Sequence, residues 1–155
     1  HRYSSAASDV YKRQLLINEV LQKVSNAKTK KEKIKLLQQY NTQALRSVLI
    51  ANFDESIISL LPEGAVPYQP NEAPEGTEHT VLEKESRILY HFFKGGSSIN
   101  QTKRESMFIR LLEGLTAGEA EVLCLAKDKK LGKRWKITRA CVEEAFPQIQ
   151  WGNRS

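Results

Sequence analysis

Residues 116–127 read Thr116-Ala117-Gly118-Glu119-Ala120-Glu121-Val122-Leu123-Cys124-Leu125-Ala126-Lys127. A threonine followed three residues later by a glutamate is a helix-start signal, because the two side chains can satisfy backbone N–H groups that the first turn leaves without partners. Behind it, Val122, Leu123, Leu125 and Ala126 recur at helical spacing. The same arrangement stands twice upstream. Thr29-Lys30-Lys31-Glu32 precedes Ile34, Leu37 and Tyr40, and Thr80-Val81-Leu82-Glu83 precedes Ile88, Leu89, Phe92 and Phe93.

Working outward, Leu15, Leu16, Ile17, Val20, Leu21 and Val24 predict a helix over 15–24. Leu45, Val48, Leu49 and Phe53 predict another over 42–52, and a short one over 54–61 stops at Pro62. Met107, Phe108, Leu111 and Leu112 mark a helix over 102–112 with Gly114 as its C-terminal cap, and a last helix over 138–146 ends before Pro147. Nothing alternates with period two over strand length. The reading is all-α: one compact domain over 15–155, of about seven helices, with a Pro-rich loop over 62–79. Four prolines and two glycines between 62 and 76 exclude a regular element there, and leave open a surface clamp or a passive linker.

The first fourteen residues are set aside. The run from Ser4 to Gln14 is similar, residue for residue, to the in-frame translation of a transposase-type sequencing adapter, so 1–14 is expected to be non-native. Dropping Arg2, Asp9, Lys12 and Arg13 lowers the formal net charge from +6 to +4, which keeps a basic excess. At 40% hydrophobic and 27% charged residues the composition is that of an ordinary globular chain, with no apolar run approaching the ~20 residues a membrane helix needs. A cytoplasmic location is expected. Cys124 and Cys141 read as small apolar residues of a reducing compartment, not as a disulfide.

Catalytic signals are missing. His79 and His91 have no Cys, Asp or Glu at metal-ligand spacing, so no metal and no cofactor is expected. Gly95-Gly96 follows a helix where a phosphate-cradling loop would join a strand to one, and Ser97 and Ser98 have no base nearby in sequence. Glu83, Glu85, Asp128, Glu143 and Glu144 sit near caps or on solvated helix faces.

The unusual segment is 127–139: Lys-Asp-Lys-Lys-Leu-Gly-Lys-Arg-Trp-Lys-Ile-Thr-Arg, seven cations against Asp128 alone. Gly132 is read as allowing a tight turn, with Leu131 and Ile137 anchoring it to the core and Trp135 either packed inward or set against a sugar or base. Lys28, Lys30, Lys31, Lys33 and Lys35 form a second basic group at a helix start, where cations oppose the macrodipole and an external anion would relieve them. Lys103, Arg104 and Arg110 could extend the surface. Such clusters suit a phosphate backbone, displacing condensed counterions without reading bases. The plain alternative is a solvated lysine-rich surface.

In Ala27-Lys28-Thr29-Lys30-Lys31-Glu32-Lys33, Leu45-Arg46 and Glu119-Ala120-Glu121-Val122-Leu123 the chain resembles an uncharacterised protein family of T-even-like marine phages. In Thr29-Lys30, Leu45 to Val48, Glu121-Val122-Leu123, Lys127 to Gly132 and Phe146-Pro147 it is similar to the N-terminal helical DNA-binding domain of T-even-type ATP-dependent DNA ligases. That second resemblance implies an all-helical module wrapping duplex DNA through backbone contacts. The ligases' adenylation motif, Lys-x-Asp-Gly, is absent, so ligation is not implied. The expectation is a non-catalytic accessory protein that binds double-stranded DNA through Lys30, Lys31, Lys129, Lys130, Lys133, Arg134, Lys136 and Arg139. The alternative is an adaptor for phage or host proteins of replication or transcription.

Overall fold

A computed structural model describes residues 15–69 and 80–152; the adapter-like segment, His79 and the middle of the Pro-rich loop lie outside the described residues. Seven α-helices occur among the described residues: α1 (Ile17–Asn26), α2 (Lys30–Gln39), α3 (Gln43–Phe53), α4 (Leu82–Glu85), α5 (Gln101–Gly114), α6 (Ala117–Lys127) and α7 (Arg139–Ala145). A 3-10 segment, Ser86–Phe92, continues α4, and a second, Leu131–Lys133, follows α6. The fold is all-α, and the only strand-like pairing among the described residues is an isolated bridge between Ser59 and Phe93.

The helix starts follow the sequence closely. Thr29, Thr42, Thr116 and Thr138 each accept, through the side-chain hydroxyl, the amide of the residue three positions on, and Asn100 does the same for α5. Inward faces of α1, α3, α5 and α6 meet in one core: Leu21, Val24, Leu45, Leu49, Leu112, Ala120 and Val122 are fully covered. α6 packs on α1, α3 and α5, while α2 and α7 pack on each other.

The helix foreseen over 54–61 does not form. Asp54 is buried and its carboxylate captures the Ser56 amide and hydroxyl, a local competitor to helix, while the Leu60 amide and the Ile58 carbonyl pair with Phe92 and Lys94. Thr80 is not an N-cap. Its hydroxyl donates to Glu85, and α4 starts two residues later behind Val81. Gly114 is the last helical residue of α5, capped by an extended Leu115, and has no left-handed φ.

Candidate nucleic-acid interface

α6 ends in a reversal that the sequence places at the wrong residue. Lys129 has φ +60, its amide bonds the Ala126 carbonyl, and the Lys130 amide bonds the Leu125 carbonyl. This is the paired closure of a helix end through a left-handed residue. Gly132 has no positive φ and lies within the 3-10 turn, so the glycine credited with the reversal does not make it. Leu131, Trp135 and Ile137 are buried, as anchors should be; Trp135, 1% exposed, packs inward and is not available to a base.

That reversal divides the basic run. Lys127 is buried, and its ammonium donates to the carbonyls of Pro62 and Gly64 and to the Asp128 carboxylate. Asp128 also accepts the Gly64 amide, so the pair clips the start of the Pro-rich loop to the end of α6. Lys129 extends back to the end of α3, where Nζ donates to the Ala51 and Asp54 carbonyls at 2.8 and 2.7 Å. Burial pushes its pKa below the ordinary lysine value, against the opposing pull of Asp54 and Glu55. Lys129 thus fills acceptors at a helix C-terminus and is withdrawn from the phosphate-contacting set. Lys130 faces Glu63 of the loop at 3.9 Å. Arg104, offered as a surface cation, is buried, and donates to the carbonyls of His91 and Ile99 and to Gln101.

Beyond Gly132 the run turns outward. Lys133, Arg134 and Lys136 are exposed, and the turn that carries them lies along the second half of α1. Arg134 reaches Gln22 at 3.4 Å and Glu121 at 3.7 Å, stacking 5.0 Å above its neighbour Trp135. The Lys136 amide donates to Ser25 Oγ at 2.9 Å, and Lys33 Nζ of α2 donates to the Lys136 carbonyl at 2.6 Å. Lys30 pairs with Glu144 of α7 at 2.9 Å with both groups more than half exposed, a contact worth little in water. Two basic segments about a hundred residues apart in sequence therefore meet at one surface. Lys30, Lys33, Lys133, Arg134 and Lys136 make up that surface; Lys33 is half-buried and spends one of its three ammonium donors on the Lys136 carbonyl, where Lys129 spends two.

The remaining candidates sit at its margins. Lys31 is exposed, about 100° around α2 from Lys30. Arg139 bonds Glu143 at 2.8 Å and stacks 4.8 Å over Trp151, so its charge is partly neutralised. Lys33 had stood in the basic group but not in the contacting set; its partner, a backbone carbonyl 103 residues away, leaves no trace in local sequence. Among the described residues no group of three or more His, Cys, Asp or Glu is placed to hold a metal ion, and no helix is long and apolar enough to cross a membrane.

Compared with known proteins, the chain matches no curated protein and no solved structure. A family model does match, over residues 20–133, a span that runs from within α1 through α6 and into the first part of the basic turn. The chain belongs to the family of unknown function DUF6433.

Proposed function

We propose that this protein is a non-catalytic accessory module that binds double-stranded DNA along the phosphate backbone, through Lys30, Lys33, Lys133, Arg134 and Lys136. One observation carries the reading: the bond from Lys33 to the Lys136 carbonyl, which joins the two most basic segments of the chain into a single surface. A net charge of +4 over residues 15–155 supplies the long-range attraction. Single strands are usually held by stacking bases on exposed aromatic rings. Among the described residues this surface offers none: Trp135 is buried, Trp151 lies under Arg139, and the exposed Tyr90 belongs to the 3-10 segment packed on α3, α4 and α5. The resemblance to the helical domain of T-even-type ligases points the same way.

Fluorescence anisotropy of labelled intact duplex, nicked duplex and single strand, titrated with the full chain over a range of salt, tests it. Duplex affinity should fall with salt along a log–log slope no steeper than about −4.5, since each neutralised phosphate contributes about −0.9 and five cations form the surface. Lys133→Ala and Lys136→Ala should each flatten the slope by about 0.9. Lys129→Ala should leave it unchanged. Absence of binding to any nucleic acid at low salt refutes the proposal.

A further inference from the structure

Trp135 is almost wholly enclosed, yet its indole N–H requires an acceptor. Gln22 of α1 supplies one, with Nε1 of the indole 3.2 Å from Gln22 Oε1. An indole nitrogen can only donate. The bond therefore fixes the Gln22 carboxamide with its oxygen inward and its nitrogen outward, and Arg134, a second pure donor at 3.4 Å from the same oxygen, fixes it the same way. Gln22 Nε2 then donates to Asn26 Oδ1 at 2.9 Å, one helical turn further on. That sets Asn26 in turn, with Oδ1 toward Gln22 and Nδ2 facing away. Asn26 is exposed, and its Nδ2 has no partner among the described residues. The next residue back, Ser25, holds the Lys136 amide, and the chain leads on from Asn26 into Lys28 and Lys30.

We infer that Asn26 Nδ2 is a neutral phosphate donor of the basic surface, aimed by the relay that starts at Trp135. The inference rests on the duplex-binding reading. A phosphodiester oxygen accepts from a carboxamide as it does from a lysine, and neutral side chains commonly contribute such contacts. The difference is electrostatic. A neutral donor releases no counterion, so it adds affinity without adding to the salt slope. Gln22 acts through Asn26 and is a positioning residue.

The test compares the full-length chain with Asn26→Ala, Gln22→Met and Lys136→Ala on the same labelled duplex across a salt series. Asn26→Ala and Gln22→Met should each weaken binding about three- to tenfold at every salt concentration, with parallel log–log plots. Lys136→Ala should change the slope itself by about 0.9. Asn26 lies on the surface, so its variant retains the fold and decides the matter even if the loss of an acceptor for Trp135 in Gln22→Met lowers stability. Asn26→Ala binding with wild-type affinity, or with a flattened slope, overturns the relay while leaving duplex binding in place. A wild-type chain that binds no duplex overturns both.

Discussion

Replacing Glu119 with alanine should cost this fold about 3–8 kcal/mol. The side chain is 1% exposed, and its two oxygens are divided between two other helices: Oε2 accepts the Ile17 amide at the start of α1, and Oε1 accepts the Leu82 amide at the start of α4, both at 2.9 Å. Each amide is among the orphan donors of a helix N-terminus, and each is buried, so neither finds water when the carboxylate goes. Leaving a buried donor unsatisfied costs about 1–3 kcal/mol, and losing a negative charge from two positive helix ends adds about 0.3–1 kcal/mol each. Against a total stability of about 5–15 kcal/mol this is a large fraction. For a chain of this size it corresponds to a melting point lower by on the order of 10 °C.

Glu119→Gln is the sharper comparison. It keeps the volume and one acceptor but presents an NH2 group to an N–H donor, so about 2 kcal/mol should be lost. Far-UV circular dichroism melts and urea titrations measure both, and amide hydrogen exchange should show Ile17 and Leu82 losing protection in the alanine variant. A Glu119→Ala melt within about 2 °C of wild type, with protection at both amides intact, would refute the assignment of this carboxylate as the joint between α1, α4 and α6.

Two further outcomes follow from the geometry. Lys129→Gly relieves the left-handed φ and Lys129→Ala does not, while both lose the bonds to Ala51 and Asp54; the glycine variant should therefore be the more stable by about 1–2 kcal/mol in urea titration, and equal stabilities would contradict a strained reversal at this position. Burial raises the thiols of Cys124 and Cys141 above their ordinary value of 9.0, so the native state holds these protons more tightly than the unfolded chain does; the stability this contributes is present below pH 9 and is lost as pH rises above it, which should appear as a stability difference from the Cys124→Ala/Cys141→Ala double variant that shrinks between pH 8 and alkaline conditions.

What the sequence made legible was local. Thr29, Thr42, Thr116 and Thr138 announce helices because a cap and its amide lie three residues apart, and the apolar spacing of Leu45, Val48 and Leu49 shows which face of α3 goes inward. Glu119 shows where that stops. Its place in a Thr-x-x-Glu pattern suggests a carboxylate folded back on its own helix start, whereas its partners lie 102 and 37 residues away. The same holds for Asp54, whose capture of Ser56 and of the Gly152 amide replaces a helix that apolar spacing alone would allow. Gly132 was misleading for a different reason. Glycine is the usual residue for a left-handed helix end, but here a lysine takes that conformation, because its ammonium gains two carbonyls at the end of α3.

Residues 127–139 carry seven cations, and as a string they look like a single phosphate-binding patch. In three dimensions the helix end at Lys129 sorts them. On the helix side, Lys127 lies against the Pro62 and Gly64 carbonyls of the loop, and Lys129 against the Ala51 and Asp54 carbonyls at the end of α3, where its ammonium completes orphan acceptors of a helix C-terminus and meets the negative end of the dipole. Lys133, Arg134 and Lys136, past the reversal, face solvent beside α1 and α2. Of the eight cations that the sequence nominates, Lys129 is spent inside, Lys130 sits beside Glu63 of the loop, and Lys31 and Arg139 lie at the margins. Lys33, which the sequence did not nominate, joins the surface through the Lys136 carbonyl. Eight contacting cations would give a salt slope near −7, and the five grouped by the fold give about −4.5. A single salt titration therefore separates the charge pattern of the string from the charge pattern of the folded molecule.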